Sequence, residues 1–397
     1  MTNGTYDRYR SAIEGEQMPL AYVDRAALDA NIRTTQRRAG ELPIRVASKS
    51  IRCRNILAYV LEHDGFEGIM CYTGTEAAYL AEHGFDNLLV AYPVVDRTEL
   101  STVCAAVADG TTITLMVDSP AHVECIADCV PEDSPTVPLC LDIDMSTSHF
   151  GIHFGVRRSP ITTPDQARTL ATTIANTAGV ELRGVMGYEG QIAGIPDDDP
   201  SNTAMMDWVI RRLKSRSIDR LHARRQAVIK ALAEAGHELA FVNGGGTGSL
   251  ESTTDDESVT EVTVGSGIFA PALFDGYRAF DYEPAAGFAI EVVRTPTDGM
   301  VTCRGGGYIA SGTPGVDKTP TPHLPAETSL RDAEGAGEVQ TPVKYDRAHE
   351  LSLGDPVVFR HAKAGELCAQ FETLRVIEGD TIVDRHSTYR GDGRCFL

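Results

Sequence analysis

The chain has 397 residues, of which 42% are hydrophobic and 23% charged. These values are typical of a folded globular protein and exclude a disordered or fibrous chain. The 36 lysines and arginines against 56 aspartates and glutamates give a net charge of −20, which argues against nucleic acid and anionic membranes as partners. No apolar run is long enough to span a bilayer, and the polar N-terminal residues are unlike a signal peptide. Nine scattered cysteines are expected to be reduced thiols, so we expect a cytoplasmic location.

Short apolar segments alternate with helical segments between residues 20 and 270. Apolar segments rich in Val, Leu and Ile are typical of strands buried on both faces. They predict strands at 21–23, 44–48, 67–72, 87–93, 112–118, 137–144, 182–188, 239–243 and 259–265. Nine strands alternating with helices favour a (β/α)₈ barrel of the TIM type, an α/β fold, over an open sheet.

The composition changes after about residue 285, where short strands and turns replace the helical segments. We therefore predict a barrel at 21–284 followed by a β-rich C-terminal domain at 285–397. The N-terminal segment at 1–20 is expected to pack on the C-terminal domain, because chain ends often meet.

Lys49 directly follows the second predicted strand and is one of only six lysines in the chain. Barrel enzymes place their catalytic groups at the carboxyl ends of the strands. A lysine removed from water has a lowered pKa and can attack a carbonyl group to form a Schiff base. An ordinary surface lysine in a loop is the alternative at this position.

Two glycine-rich segments follow the last two predicted strands. The first is GGGTGS at 244–249, and the second is GSG at 265–267. Backbone N–H groups and hydroxyls in such loops suit a phosphate, and the late strands of a barrel commonly form phosphate sites. A pair of tight turns is the alternative. A phosphate loop together with a lysine at another strand end is what pyridoxal phosphate (PLP) requires.

Two carboxylates, Asp142 and Asp144, end the predicted strand at 137–144 and share one face of it. They could steady a lysine or a substrate ammonium. They could equally be solvated acids of a loop.

Eight segments follow one another along nearly the whole chain. They are PLAYVDRAALDANI (19–32), RVASKS (45–50), DIDMS (142–146), GVMGYEGQIAG (184–194), NGGGTGS (243–249), TEVTVGSG (260–267), EGAGEVQTP (334–342) and HAKAGEL (361–367). Taken in this order, they resemble the PLP enzymes of the alanine racemase fold, also called fold type III. Within these enzymes the chain is most similar to the D-threonine aldolase and D-serine dehydratase-like branch of amino acid deaminases and aldolases.

The resemblance implies a PLP-binding barrel, a β-rich second domain and a homodimer. It implies that Lys49 holds PLP as a Schiff base, that Arg45 belongs to the same cofactor-binding motif, and that Tyr188 lies near the Schiff base. Lys49 and Tyr188 are then the catalytic residues. The residues implied to bind the phosphate are Gly245, Gly246, Thr247, Gly265, Ser266 and Gly267.

His361 matches a histidine that, in the aldolases and dehydratases, helps to bind a divalent metal near the substrate hydroxyl. The second metal ligand of the family stands two residues later, where this chain has Lys363. A protonated lysine cannot be a normal ligand because it has no lone pair to donate. Cys368 or Glu366 could substitute at a different spacing, and a structural histidine is the alternative for His361.

The function implied by the resemblance is that of a PLP-dependent lyase acting on a small D-configured β-hydroxy amino acid. The reaction would be retro-aldol cleavage, or dehydration and deamination, through the Schiff base at Lys49. A PLP-dependent amino-acid racemase and a non-catalytic PLP-binding protein are the alternatives. The expected partners are a small-molecule amino acid and a second copy of the chain.

Overall fold

The computed structural model describes residues 3–149, 152–199, 202–313, 315–346 and 348–397. Their strands are β1 (Leu20–Asp24), β2 (Ile44–Ala47), β3 (Phe66–Cys71), β4 (Leu88–Val90), β5 (Ile113–Val117), β6 (Val137–Asp142), β7 (Thr147–His149), β8 (Ile152–Phe154), β9 (Val180–Gly187), β10 (Phe241–Gly244), β11 (Glu261–Val264), β12 (Ala286–Thr297), β13 (Met300–Arg304), β14 (Thr321–Leu324), β15 (Ser329–Leu330), β16 (Gln340–Lys344), β17 (Pro356–Arg360), β18 (Thr373–Glu378) and β19 (Thr381–Ser387).

The α-helices of the same residues connect and cover these strands. They are α1 (Asn3–Ile13), α2 (Arg25–Ala39), α3 (Arg54–Leu61), α4 (Gly74–Glu82), α5 (Arg97–Ala108), α6 (Pro120–Ala127), α7 (Pro164–Ala175), α8 (Gly190–Ala193), α9 (Ala204–Glu234), α10 (Leu250–Thr254), α11 (Ser266–Phe269) and α12 (Glu366–Gln370). None of the described helices is both long enough and apolar enough to cross a membrane.

A closed barrel forms the larger part of the fold, with parallel strands in the order β10-β11-β2-β3-β4-β5-β6-β9. The predicted TIM-type barrel is therefore confirmed, and each of its eight strands coincides with one of the apolar segments. The barrel interior is packed with side chains from alternate positions of these strands. They are Ala47, Met70, Leu89, Ala91, Met116, Cys140, Met186 and Phe241.

The first predicted strand, at 21–23, does not lie in the barrel, and its assignment there is wrong. This strand, β1, pairs antiparallel with β12 and parallel with β18 in a second sheet. All five of its residues are buried, so its apolar pattern equals that of a barrel strand. Periodicity gives the burial of a strand but not the identity of its neighbours.

The second sheet has the order β15-β16-β13-β12-β1-β18-β19, with β17 paired to β12 and β14. The C-terminal region is thus rich in strands, as predicted. The N-terminal helix α1 meets this sheet through Tyr6, whose hydroxyl donates to the carbonyl oxygen of Pro356 at 2.9 Å. The domain boundary near residue 285 stays a prediction.

Side-chain caps explain where several barrel helices begin. At each of these positions an oxygen of the capping side chain accepts a hydrogen bond from the backbone N–H three residues later. The capping residues are Thr73, Asp96, Ser119, Thr163 and Thr203. These caps fix the βα turns, and with them the loops at the carboxyl end of the barrel.

Candidate active site

A cavity of about 320 Å³ opens at the carboxyl end of the barrel strands. Its walls come from the residues that end or follow β4, β5, β6 and β9, together with the segment after β8. They include Tyr92, Asp118, Asp142, Asp144, Arg158 and Tyr188. Carboxyl ends of barrel strands are where TIM-barrel enzymes carry their active sites, so this cavity is the candidate active site.

Lys49 lies at this end of the barrel, in the short 3₁₀ turn that follows β2. Its side chain is exposed, and Nζ donates a hydrogen bond to Oη of Tyr92 at 2.9 Å. Burial alone would raise the pKa of the Tyr92 phenol, but the Lys49 ammonium and the Arg158 guanidinium outweigh burial and lower that pKa. The lysine therefore stands beside an acidified phenol.

Tyr188 follows β9 and lies near Arg158, as Tyr92 does. The Arg158 guanidinium carbon is 5.4 Å from the centre of the Tyr188 ring and 5.9 Å from that of Tyr92. Burial raises the pKa of the Tyr188 phenol. A Cβ built on Gly246 would lie 3.4 Å from Cε2 of Tyr188, so this ring also touches the first glycine loop.

The two glycine loops meet at the same end of the barrel. The backbone N–H of Gly267 donates to Oγ1 of Thr247 at 3.0 Å, which joins the second loop to the first. A Cβ built on Gly265 would lie 2.6 Å from Oγ of Ser50 and 2.9 Å from Cβ of Ala47. The second loop thus packs against the turn that carries Lys49, and only glycine fits this contact.

The first loop has backbone N–H groups to offer to an anion. Those of Gly246, Thr247 and Gly248 have no acceptor within the part of the chain that the structure describes. Donors left over in this way at a partly buried loop suit a phosphate, since unpaired buried N–H groups are otherwise costly. The predicted phosphate residues are therefore brought together by the fold.

A buried ion network holds this first loop in place. Glu189 accepts a hydrogen bond from the N–H of Gly245 at 2.7 Å and forms an ion pair with Arg225. The other side of the Arg225 guanidinium binds Asp256 at 2.5 Å. Arg225 is fully buried, and its guanidinium lies between these two carboxylates.

Asp142 is a cavity carboxylate whose pKa is strongly raised. Burial raises its pKa to about 7, and Asp118 and Asp144 add to this effect, whereas Arg158 opposes it. Asp118 is paired with His122 at 3.0 Å and Asp144 with Arg224 at 3.7 Å. Asp142 is left as a carboxyl group that gains or loses its proton near neutral pH.

Replacing Asp142 with asparagine should stabilise the protein in a pH-dependent way. The folded-state pKa lies above the ordinary value, so ionisation of Asp142 lowers stability as pH rises from about 4 to about 7. Asp142→Asn should therefore gain roughly 1–3 kcal/mol at pH 8 and nothing near pH 4. Urea unfolding at both pH values measures this, with the exposed Asp133→Asn as a control. An equal effect of Asp142→Asn at both pH values would contradict it.

Arg45 pairs with residues at the other end of the barrel, and its expected contact with the cofactor stays a prediction. Its guanidinium is buried inside the barrel and pairs with Glu261 at 2.8 Å. It also donates to the carbonyl oxygen of Asn87 at 2.7 Å. Glu261 begins β11 and Asn87 precedes β4, so Arg45 reaches the amino-terminal end of the barrel, opposite to Lys49. Its position indicates a role in closing the barrel.

His361 follows β17 in the second sheet and is buried. Its Nδ1 faces the carbonyl oxygen of Ala286 at 3.2 Å, and its Nε2 has no partner within the described residues. Burial and the neighbouring Arg360 lower the pKa of the imidazole to about 3. The side chain is therefore neutral, a form in which a histidine can bind a metal.

The groups around His361 do not complete a metal site. Lys363 Nζ donates to Oγ of Ser311 at 2.8 Å and lies 3.8 Å from Glu366. Burial raises the pKa of the Cys368 thiol well above its usual value. Among the residues described here, no three His, Cys, Asp or Glu side chains group so that they could hold a metal ion. The donor set does not fit a metal, and a metal at His361 stays a prediction.

The sequence patterns did not indicate Tyr92, Arg158 or the network of Glu189, Arg225 and Asp256. Tyr92 stands two residues after the end of β4, so a search of every strand end for phenols would have found it. Arg225 lies in the middle of α9 and its two partners are 36 and 31 residues away along the chain. No local pattern marks such a contact.

Comparison with known proteins places these features in a family. Residues 23–271 match the model of the alanine racemase N-terminal domain family. The chain is 23% identical over 258 residues to a 3-hydroxy-D-aspartate aldolase of Paracoccus denitrificans (strain Pd 1222), with 64% of this chain covered. It is 22% identical over 272 residues to a D-threonine aldolase of Arthrobacter sp., with 66% covered. The matches span 61% and 65% of the lengths of these two relatives.

Solved structures share the fold over nearly the whole chain. A D-threonine aldolase from Filomicrobium marinum superposes with a TM-score of 0.80 at 20% identity, covering 96% of each chain. A D-threo-3-hydroxyaspartate dehydratase from Delftia sp. HT23 superposes with a TM-score of 0.77 at 19% identity, covering 95% of this chain and 98% of that one. At such identities the similarity shows the fold.

Proposed function

The chain belongs to the alanine racemase N-terminal domain family, and from this membership we propose that it is a PLP-dependent lyase acting on a small D-configured β-hydroxy amino acid. The curated relatives are named as aldolases of 3-hydroxy-D-aspartate and D-threonine, and a structural neighbour as a dehydratase. Retro-aldol cleavage and dehydration both begin from the same class of substrate, which supports this class for the present chain.

One observation carries the proposal, namely that Lys49 and both glycine loops lie at one end of one barrel. The loop around Gly265 touches the turn of Lys49, and the loop around Gly246 has N–H groups without an acceptor among the described residues. Lys49 would hold the aldehyde end of PLP, and the two loops would hold its phosphate. When bound, PLP supplies an electron sink for the substrate.

The side chains around Lys49 would move a proton and position the bound ring. The Tyr92 phenol, with its lowered pKa, can exchange a proton with the Lys49 amine across their 2.9 Å hydrogen bond. Tyr188 lies against the first glycine loop and would fix the position of the bound ring. We assign Lys49 and Tyr188 as catalytic residues and Tyr92 as a proton partner of Lys49. No step is assigned to a metal.

A panel of amino acids tests the proposed reaction. Purified protein supplied with PLP is incubated with D-serine, D-threonine and 3-hydroxy-D-aspartate, with the L enantiomers as controls. We expect release of an aldehyde or of ammonia from at least one D substrate and from none of the L enantiomers. Release of neither product would overturn the lyase proposal. Loss of optical rotation without loss of the amino acid would instead indicate a racemase, and PLP binding without turnover a carrier.

We also propose that the protein is a homodimer. Large apolar side chains at the start of α9 are exposed, Met205 to 77% and Trp208 to 60%. Such groups on a surface often mark an interface between protein chains. Light scattering should give twice the mass of the chain, and the mass of a single chain would contradict this proposal.

A further inference from the structure

Arg158 is a guanidinium at the edge of the candidate active site, and it has no polar partner among the residues that the structure describes. It lines the cavity and is exposed. Within the described part of the chain its contacts are with the faces of Tyr92 and Tyr188, and no acceptor takes a hydrogen bond from it. Two aromatic rings orient the group while all of its N–H donors stay available.

Three other arginines of the barrel differ from Arg158 in having polar partners. Arg224 donates to the carbonyl oxygens of Asp144 and Ser146 at 2.5 and 2.8 Å. Arg45 and Arg225 are each held between protein groups inside or beside the barrel. Their donors bind protein groups, whereas those of Arg158 have no acceptor in the described ranges and are available to a ligand.

The carboxylates of the cavity do not neutralise Arg158. Asp118 and Asp144 already have cationic or ionisable partners, as described above. The Arg158 guanidinium acts to lower the pKa of Asp142 but forms no ion pair with it, and burial disfavours the charged form of Asp142. Positive charge from Lys49 and Arg158 therefore dominates around Tyr92, in a protein whose net charge is −20.

We propose that Arg158 binds the α-carboxylate of the amino-acid substrate. This inference rests on the proposed function, because it takes the substrate amine to be directed at Lys49. Lys49 Nζ and the Arg158 guanidinium lie at the same ring, 5.5 and 5.9 Å from the centre of Tyr92. The amine and carboxylate of an α-amino acid share one carbon atom, so a substrate whose amine lies at Lys49 has its carboxylate in the same region as Arg158. A guanidinium matches a carboxylate with two parallel hydrogen bonds.

Chemical modification tests this assignment without relying on turnover. Phenylglyoxal labels accessible arginines, and peptide mass spectrometry locates the label. The neighbouring Arg157 is also exposed, so the Arg157→Lys variant leaves Arg158 as the arginine to follow in that peptide. D-alanine and ethylamine differ by the carboxylate, and neither carries a β-hydroxyl group to be cleaved. We expect D-alanine to slow labelling of Arg158 about tenfold and ethylamine to leave it unchanged. Equal labelling with both compounds would overturn the proposal.

The Arg158→Lys variant, which retains Arg157, is the matched control for this labelling. There the label on Arg157 should be indifferent to D-alanine, because this side chain does not line the cavity. Protection of Arg157 to the same extent as Arg158 would mean general shielding of the segment and would overturn the assignment.

Kinetics of Arg158 variants distinguish the α-carboxylate from a carboxylate in the substrate side chain. Arg158→Met should raise KM about 10- to 100-fold for D-serine and 3-hydroxy-D-aspartate alike, with a smaller change in kcat. Arg158→Lys should recover part of the loss. A rise confined to 3-hydroxy-D-aspartate would place the side-chain carboxylate at Arg158 and overturn the α-carboxylate assignment.

Failure of this inference and failure of the proposed function give different results. If the protein takes up no PLP, the proposed function fails, while protection of Arg158 by D-alanine and not by ethylamine would still support a carboxylate site. If PLP binds and D substrates are cleaved but Arg158 labels at the same rate with and without D-alanine, this inference alone is wrong.

Discussion

Replacing Arg225 with methionine should lower the free energy of unfolding by about 3–5 kcal/mol. The guanidinium is fully buried and lies between Glu189 and Asp256. Its removal leaves two buried carboxylates close to each other without a cation, and a buried charge without a partner is strongly destabilising. Arg225→Met should also loosen the first glycine loop, because Glu189 holds the N–H of Gly245.

Urea unfolding followed by circular dichroism measures this effect. Arg224→Met is the matched control, since Arg224 is the neighbouring residue on α9 but is partly exposed and bonds to backbone carbonyls. Arg224→Met should lower the free energy of unfolding clearly less than Arg225→Met does. If Arg225→Met does not fold, Arg225→Lys, which keeps one positive charge, should fold and fall between the two. A loss below about 1 kcal/mol for Arg225→Met would contradict the role of this network.

Replacing Lys49 with alanine should reduce turnover of the best D substrate by about 10²–10⁴-fold or more. The proposed function gives Lys49 two tasks, to hold PLP and to move a proton together with Tyr92. Alanine can do neither, although the exposed position of Lys49 means that the fold should tolerate the change. Steady-state kinetics with PLP in excess give the loss, and circular dichroism confirms that the variant is folded.

Lys344→Ala is the control for this second prediction. Lys344 is exposed and lies in β16 of the second sheet, away from the barrel cavity. Its replacement should leave turnover within about twofold of the wild type, as for most surface changes. Full activity of Lys49→Ala would show that the chemistry does not depend on this lysine.

The barrel could be predicted because its strands are buried on both faces and stand out as apolar runs. The same property explains why β1 was wrongly assigned to the barrel. This strand is buried on both faces between β12 and β18, and its partners lie more than 260 residues away along the chain. Burial is a local consequence of composition, whereas strand pairing depends on the path of the whole chain.

The site was predictable where strand ends alone determine it. Lys49 and the loops at 244–249 and 265–267 follow strands directly, so closing the barrel brings them to one end. The position of the Arg45 side chain could not be predicted in this way. Arg45 lies within β2, its long side chain extends toward Glu261 at the other end, and its place in a sequence motif does not reveal that direction. Arg158 comes from an irregular segment after β8, whose path follows no periodicity.

Borohydride reduction of the purified protein tests the central claim, that PLP is bound at Lys49. Wild-type protein is supplied with PLP, its visible absorption is recorded, and it is then reduced and digested for peptide mass spectrometry. We predict that the wild type shows a visible band of bound PLP and that reduction abolishes this band. The pyridoxyl group should then be found on the peptide that contains Lys49. Lys49→Ala should show no such band. A wild type without such a band, or a pyridoxyl group on another lysine, would contradict it.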